Sequence, residues 1–219
     1  MKKRIICTLL ILCLLILPGC GQRQANEKLF RNGFEWLQNL SALYVRNEQY
    51  YGENYDTLQE VAVRFAWRSG ENYYWEDQRG TRMLGYEGEY WAIRPPKYSY
   101  WKQHSNPEYS YTTWNNYEAE EFLTGEVAIW REGGNIILEQ KRDYGSDNCT
   151  RERQIATYTF YMETSGEIVR YTRELITYKG KEVNPKEICS ISKSEYYIIP
   201  IDAEEATEIV REQYESIKK

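Results

Sequence analysis

Few side chains in this sequence are placed to do chemistry, and the first to consider are five cysteines and one histidine. The histidine, His104, lies in the loop Gln103-His104-Ser105-Asn106-Pro107. A hydrolase built on it needs a nucleophile and an orienting acid, and no nucleophile elbow or comparable motif is present. Zinc needs several His or Cys ligands, more than one His and the available thiols supply. Glu118, Glu120 and Glu121 cluster near Trp114 and Tyr117. Glycoside hydrolysis requires two carboxylates at a set separation, whereas acidic side chains in a polar loop are usually only solvated. The neighbouring aromatics leave sugar binding as an alternative. No Gly-rich phosphate loop or dinucleotide fingerprint appears, and Gly133-Gly134 reads as a hairpin turn. The residues point away from an enzyme, a cofactor or a metal.

The cysteines sort by position. Met1-Lys2-Lys3-Arg4 is a basic start, Ile5 to Leu17 is apolar but for one Thr, and Leu17-Pro18-Gly19-Cys20 follows. This is the pattern of a secretory signal, and its last four residues resemble a bacterial lipobox. Cleavage before Cys20 would leave its thiol to carry diacylglycerol. The apolar run rises only ~20 Å as a helix, short of the ~30 Å hydrocarbon core, so it is not read as a retained span. Cys7 and Cys13 leave with residues 1–19. The expected organisation is a signal peptide over 1–19, a polar tether over 20–27 and one domain over 28–219. The expected location is the extracytoplasmic side of the cell membrane.

Without residues 1–19 the chain keeps 25 Lys and Arg against 33 Asp and Glu, a formal net charge of −8. An acidic chain with no basic cluster is a poor partner for nucleic acid or for anionic headgroups. Two hundred residues suit one full core. All 33 aromatic residues, 21 of them Tyr, lie beyond the leader. Such a load favours strands and suits half-wet sheet faces.

Apolar spacing at Leu29, Phe30, Phe34, Leu37, Leu40, Ser41 and Tyr44 predicts a helix over roughly 26–46. Residues 57–69 admit two readings. Val61, Val63, Phe65 and Trp67 alternate as a strand, while Thr57 with Glu60 makes a capping box before a helical pattern. Alternation is favoured, because Val63 and Trp67 would crowd the polar side of a helix. Short strands follow over 72–76, 82–86, 89–94, 98–102 and 109–114, and 115–123 reads as polar loop. Two hairpins follow, 126–131 with 135–141 and 153–162 with 167–178. A last strand covers 188–199, its polar middle suited to a sheet edge. Asp202 caps a closing helix with an apolar face at Ala206, Ile209, Val210, Gln213 and Ile217. The fold class is α+β, one antiparallel sheet whose apolar face is covered by the two terminal helices.

Cys149 and Cys189 are the remaining thiols and a candidate disulfide. An up-down-up meander brings both to one end of the sheet but two strands apart, roughly 9–10 Å. A bridge needs Cα atoms within about 7 Å. It therefore requires the loop carrying Cys149 to bend across the middle strand, and the alternative is two reduced thiols.

Gly88–Trp101, GEYWAIRPPKYSYW, reads as a strand, a rigid Pro-Pro corner and a second aromatic strand. With Gly88, Trp91, Arg94, Pro95, Tyr98 and Trp101 it resembles a segment of the LolA/LolB lipoprotein-carrier superfamily. That superfamily includes LppX-type and clostridial sporulation or germination lipoproteins. The resemblance implies a strongly curved antiparallel sheet, an unclosed barrel, with helices over its concave side. It also implies a non-enzymatic module binding a lipid or other apolar ligand, with Trp91, Arg94, Tyr98 and Trp101 as ligand-binding positions. Two other roles stay open: a scaffold docking a cell-envelope protein, such as a cell-wall or sporulation enzyme, and a glycan-binding module.

Overall fold

The computed structural model describes residues 2–52, 58–77, 80–93, 101–103, 117–146 and 152–218; within these, the side chains of 2–20, 58–65, 101–103 and 146 are not described. Helix α1 spans Lys2–Asn39. Its described part buries Asn26, Phe30, Gly33, Phe34 and Leu37, one stripe at helical spacing. The polar segment after Cys20 is helical too, with Arg23 and Glu27 paired at 2.9 Å one turn apart. The helix ends at Asn39 rather than near 46. Leu40, Ser41 and Tyr44 fit the helical period by coincidence. Burial from Ala42 to Tyr44 alternates, and the chain continues as a strand.

Among the described residues, eleven strands form one antiparallel sheet. They are β1 (Ala42–Tyr51), β2 (Leu58–Ser69), β3 (Asn72–Asp77), β4 (Arg82–Tyr86), β5 (Glu89–Ile93) and β6 (Trp101–Gln103), then β7 (Glu126–Glu132), β8 (Asn135–Ser146), β9 (Glu152–Met162), β10 (Ile168–Lys179) and β11 (Ile188–Pro200). The order β6-β5-β4-β3-β2-β1-β11-β10-β9-β8-β7 leaves β6 and β7 as the edges, and among the described residues the sheet does not close into a barrel. The α+β class and the open sheet with terminal helices are as expected. Residues 57–69 resolve as strand β2 over 58–69. The expected strand over 109–114 lies outside the described residues.

Two expectations are corrected by the topology. β11 is not an edge strand; it pairs with β1 on one side and β10 on the other. Its polar middle is accommodated by matching charges on β10: Lys193 meets Glu174 at 2.9 Å and Glu195 meets Arg170 at 3.3 Å. Residues 119–123 form a helix, α2 (Ala119–Leu123), where loop was expected. Phe122 is fully buried between Phe34, Tyr158 and Phe160, with Ala119 and Leu123 packed beside it against the same core. The acidic cluster is absorbed locally. Glu118 and Glu121 form a capping box, Glu120 pairs with Arg31 at 2.6 Å, and Glu121 also reaches Arg142.

The terminal helices cover opposite faces, not one. Phe30, Phe34 and Leu37 of α1 pack with Tyr44, Ala66, Trp75 and Phe160 on what we call the inner face. α3 (Ala203–Lys218) buries Val210 against Tyr74 and Leu84, with Trp67, Tyr86 and Trp91 around them. Ala66 and Trp67, like Trp75 and Tyr74, are sequence neighbours, and neighbours in a strand point to opposite faces. The cause is the unbroken aromatic run Tyr73-Tyr74-Trp75 in β3, apolar on both sides and needing cover on both. Asp202 caps α3 as expected, its carboxylate accepting from the Glu204 N–H at 2.8 Å.

Candidate functional site

On the inner face the aromatic core is interrupted by polar residues on β1, β8, β10 and β11. Register places Arg46, Tyr196, Tyr171, Phe160 and Leu138 in one cross-strand row. The next row on the same face holds Glu48, Ser194, Arg173, Tyr158 and Gln140. Tyr171 and Tyr196 are buried and stacked, centroids 4.1 Å apart and planes 16° apart. The Arg46 guanidinium lies 5.0 Å over the Tyr196 ring and donates to Glu48. Arg173 lies 5.9 Å from the Tyr158 ring, and its Nε has no hydrogen-bond partner among the described residues. Tyr158 shares a 2.7 Å hydrogen bond with the Tyr144 hydroxyl.

Burial sets the chemistry of these phenols. Desolvation pushes Tyr44, Tyr171 and Tyr196 above the usual tyrosine range, with nearby arginines opposing the shift. Tyr158 is raised as well, by burial and then by the Tyr144 hydroxyl. All four stay neutral at physiological pH, so they act as hydrogen-bond donors and as π faces for cations. Two arginines and one glutamate leave the strip cationic. Such a surface can hold an anionic group beside an apolar wall.

The residues singled out from sequence are placed differently. Trp91 lies on β5 in the cluster beneath α3, on the outer face, with its Nε1 buried and without a partner among the described residues. Trp101 is the β6 register partner of Ala92, and Trp91 that of Lys102. Arg94, Tyr98 and the lone His104 lie outside the described residues, as does Cys149. Cys189 is half-buried at the start of β11. Cys20 lies within α1. The structure thus does not assemble these positions into one described site. Sequence reasoning missed Arg46, Arg173, Tyr171 and Tyr196. Their signal was weak: arginines at alternating positions of tyrosine-rich strands, informative only once β1 and β11 are known to be neighbours.

No protein-family model matches the chain, and no curated protein does. Among solved structures, the chain is similar to a DUF1329 family protein from Desulfovibrio piger, at 10% identity over 81% of this chain and 92% of that one, TM-score 0.32. It is also similar to a LolA superfamily protein from Nitrosomonas europaea, at 12% identity over 80% of this chain and 93% of that one, TM-score 0.35.

Proposed function

We propose that the chain is a membrane-tethered, non-enzymatic binding module that takes an amphiphile with an apolar body and an acidic head on the inner face of its sheet. One observation carries this reading: Arg46 and Arg173 stand at the boundary between the aromatic core and the polar rows, over neutral buried tyrosines. A guanidinium there meets a carboxylate or phosphate in two parallel hydrogen bonds, while the apolar body of the ligand lies against the aromatic side. The tether is supported by the basic start, the apolar run and Leu17-Pro18-Gly19-Cys20. A diacylglyceryl thioether on Cys20 would hold the domain at the extracytoplasmic surface.

Native mass spectrometry of the full chain, released gently from detergent, tests the binding. The expected result is an adduct of amphiphile mass. Its occupancy should fall about tenfold or more in the Arg46→Gln, Arg173→Gln double variant. A wild-type protein free of adduct, or an adduct indifferent to both substitutions, would refute it. Cys20→Ala tests the tether separately: the variant should accumulate unprocessed or leave the membrane fraction. Normal processing with normal membrane retention would show that Cys20 is not the anchor.

A further inference from the structure

The outer face of the sheet carries a second constellation, away from the part covered by α3. Register aligns Val45, Tyr197, Arg170, Tyr161, Ile137 and Trp130 in a single row running across β1, β11, β10, β9, β8 and β7. Trp130 and Tyr197 are 37% and 38% exposed, high for large aromatic side chains. The Arg170 guanidinium lies over the Tyr161 ring at 3.9 Å, reaches Tyr197 at 6.0 Å and meets Glu195 at 3.3 Å. A depression of about 440 Å³ opens beside it, lined by Glu132, Asn135, Ile137, Tyr161, Val169 and Arg170. The Trp130 Nε1–H donates to Glu132 at 3.3 Å, which ties the indole to the rim of that depression.

Two of these rings are open, Trp130 on β7 and Tyr197 on β11, while the face of Tyr161 on β9, midway between them, is taken by Arg170. With strands ~4.8 Å apart, the two open rings are about 19 Å apart. That interval is close to twice the two-ring repeat of an extended 1,4-linked pyranose chain, whose C–H faces stack on aromatic rings. The adjoining row supplies what the hydroxyls need, Glu195, Thr172 and Glu139, with Thr159 buried between them. Charge decides between occupants. Glu132, Glu139 and Glu195 outnumber Arg170, so polyanions are repelled. An apolar partner would have to bury Arg170 with Glu195, which is costly. A neutral polyhydroxylated chain meets neither penalty.

We propose that this outer-face row is a binding platform for a neutral 1,4-linked polysaccharide lying across the strands. It is independent of the inner-face site, on the other side of the sheet. The test is calorimetric titration of the full chain in detergent with chitohexaose and cellohexaose, and with the corresponding disaccharides. At least one hexasaccharide should bind about tenfold or more tighter than its disaccharide, which is too short to span the row. Trp130→Ala and Tyr197→Ala should each weaken binding about threefold to tenfold, the size of one aromatic stacking contact. Tyr50→Ala, an exposed aromatic on the inner face, and the Arg46→Gln, Arg173→Gln pair should leave it unchanged. No binding of either hexasaccharide, equal affinity for short and long chains, or wild-type affinity in folded Trp130→Ala and Tyr197→Ala proteins would overturn the proposal.

Discussion

Replacing Gly33 by Ala probes how α1 is seated. Gly33 faces the turn between β9 and β10. An added Cβ would lie 2.1 Å from the Gly166 carbonyl oxygen and 3.3 Å from its carbon. Contacts under 3.0 Å are not sustained, so helix and turn must part by about 0.9 Å. The turn is poorly placed to yield. Gly166 has φ of +102° and donates to the Glu163 carbonyl at 2.9 Å, while Glu163 donates to Glu167 at 2.9 Å. The helix moves instead, and it carries Phe30, 5.2 Å from the Phe160 ring, and Phe34, 5.4 Å from the Phe122 ring. Opening such contacts by 0.5–1 Å forfeits a quarter to a half of each well, and overpacking costs about 1–3 kcal/mol. Against this, Gly to Ala in a helix gains about 1 kcal/mol. The difference is a net loss of up to about 2 kcal/mol, which lowers the melting temperature by up to about 8 °C in a domain of this size. Gly21→Ala is the control, because its Cβ meets nothing within 4 Å, and it should be neutral or slightly stabilising. Thermal melts followed by circular dichroism read both. A Gly33→Ala protein as stable as the Gly21→Ala control, with the full helix gain realised, would refute the seating of α1 on this turn.

Phe122→Ala should cost about 3–5 kcal/mol, because the ring is fully buried in an aromatic cage; a urea midpoint within error of wild type would show α2 to be dispensable. Arg68 is 2% exposed, and its guanidinium donates to the carbonyls of Gln38 at 2.9 Å and Gly70 at 3.0 Å, closing the end of α1. Arg68→Met leaves both carbonyls without that donor and should destabilise by about 2–5 kcal/mol in urea titration, with Arg68→Lys recovering only part. The Arg153 guanidinium, aided by the Gly145 N–H, holds the Asp143 carboxyl below its ordinary range. A carboxyl depressed on folding stabilises above its unfolded pKa, and that contribution is lost as pH falls through the folded value. The stability gap between wild type and Asp143→Asn should therefore be flat above about pH 4 and close below it; a gap that widens in acid would contradict the pairing.

Strands announced themselves wherever turn residues framed them. Glu132-Gly133-Gly134 and Glu163-Thr164-Ser165-Gly166 gave both late hairpins, and Asp202 marked the start of α3. Boundaries failed where two periods overlap, as at Leu40 to Tyr44, which suits a helix and a strand alike. α2 was hidden because Ala119, Phe122 and Leu123, at i, i+3 and i+4, span only one turn, too short to establish a period. The two-faced cover was present in Tyr73-Tyr74-Trp75, but an aromatic triplet shows its meaning only when a helix lies on each side. The inner-face site was the least legible. Arg46 and Tyr196 are 150 residues apart, and only the pairing of β1 with β11 makes them neighbours.

That pairing divides the sheet into two meanders, β1 to β6 and β7 to β11, sewn along one seam. Partners on the seam are separated by 140 residues (Tyr51 to Ile191) to 158 residues (Ala42 to Pro200). A chain made from its N-terminus presents β1 with one side open until the last strand arrives, and long-range closures of this kind are slow. An open strand side is a template for pairing with other chains. The seam bears polar residues on both sides, Asn47, Glu48 and Gln49 against Lys193, Ser194 and Glu195. In the finished molecule these look misplaced at the centre of a sheet. During assembly the seam is a temporary edge, and its polar residues guard it until β11 docks.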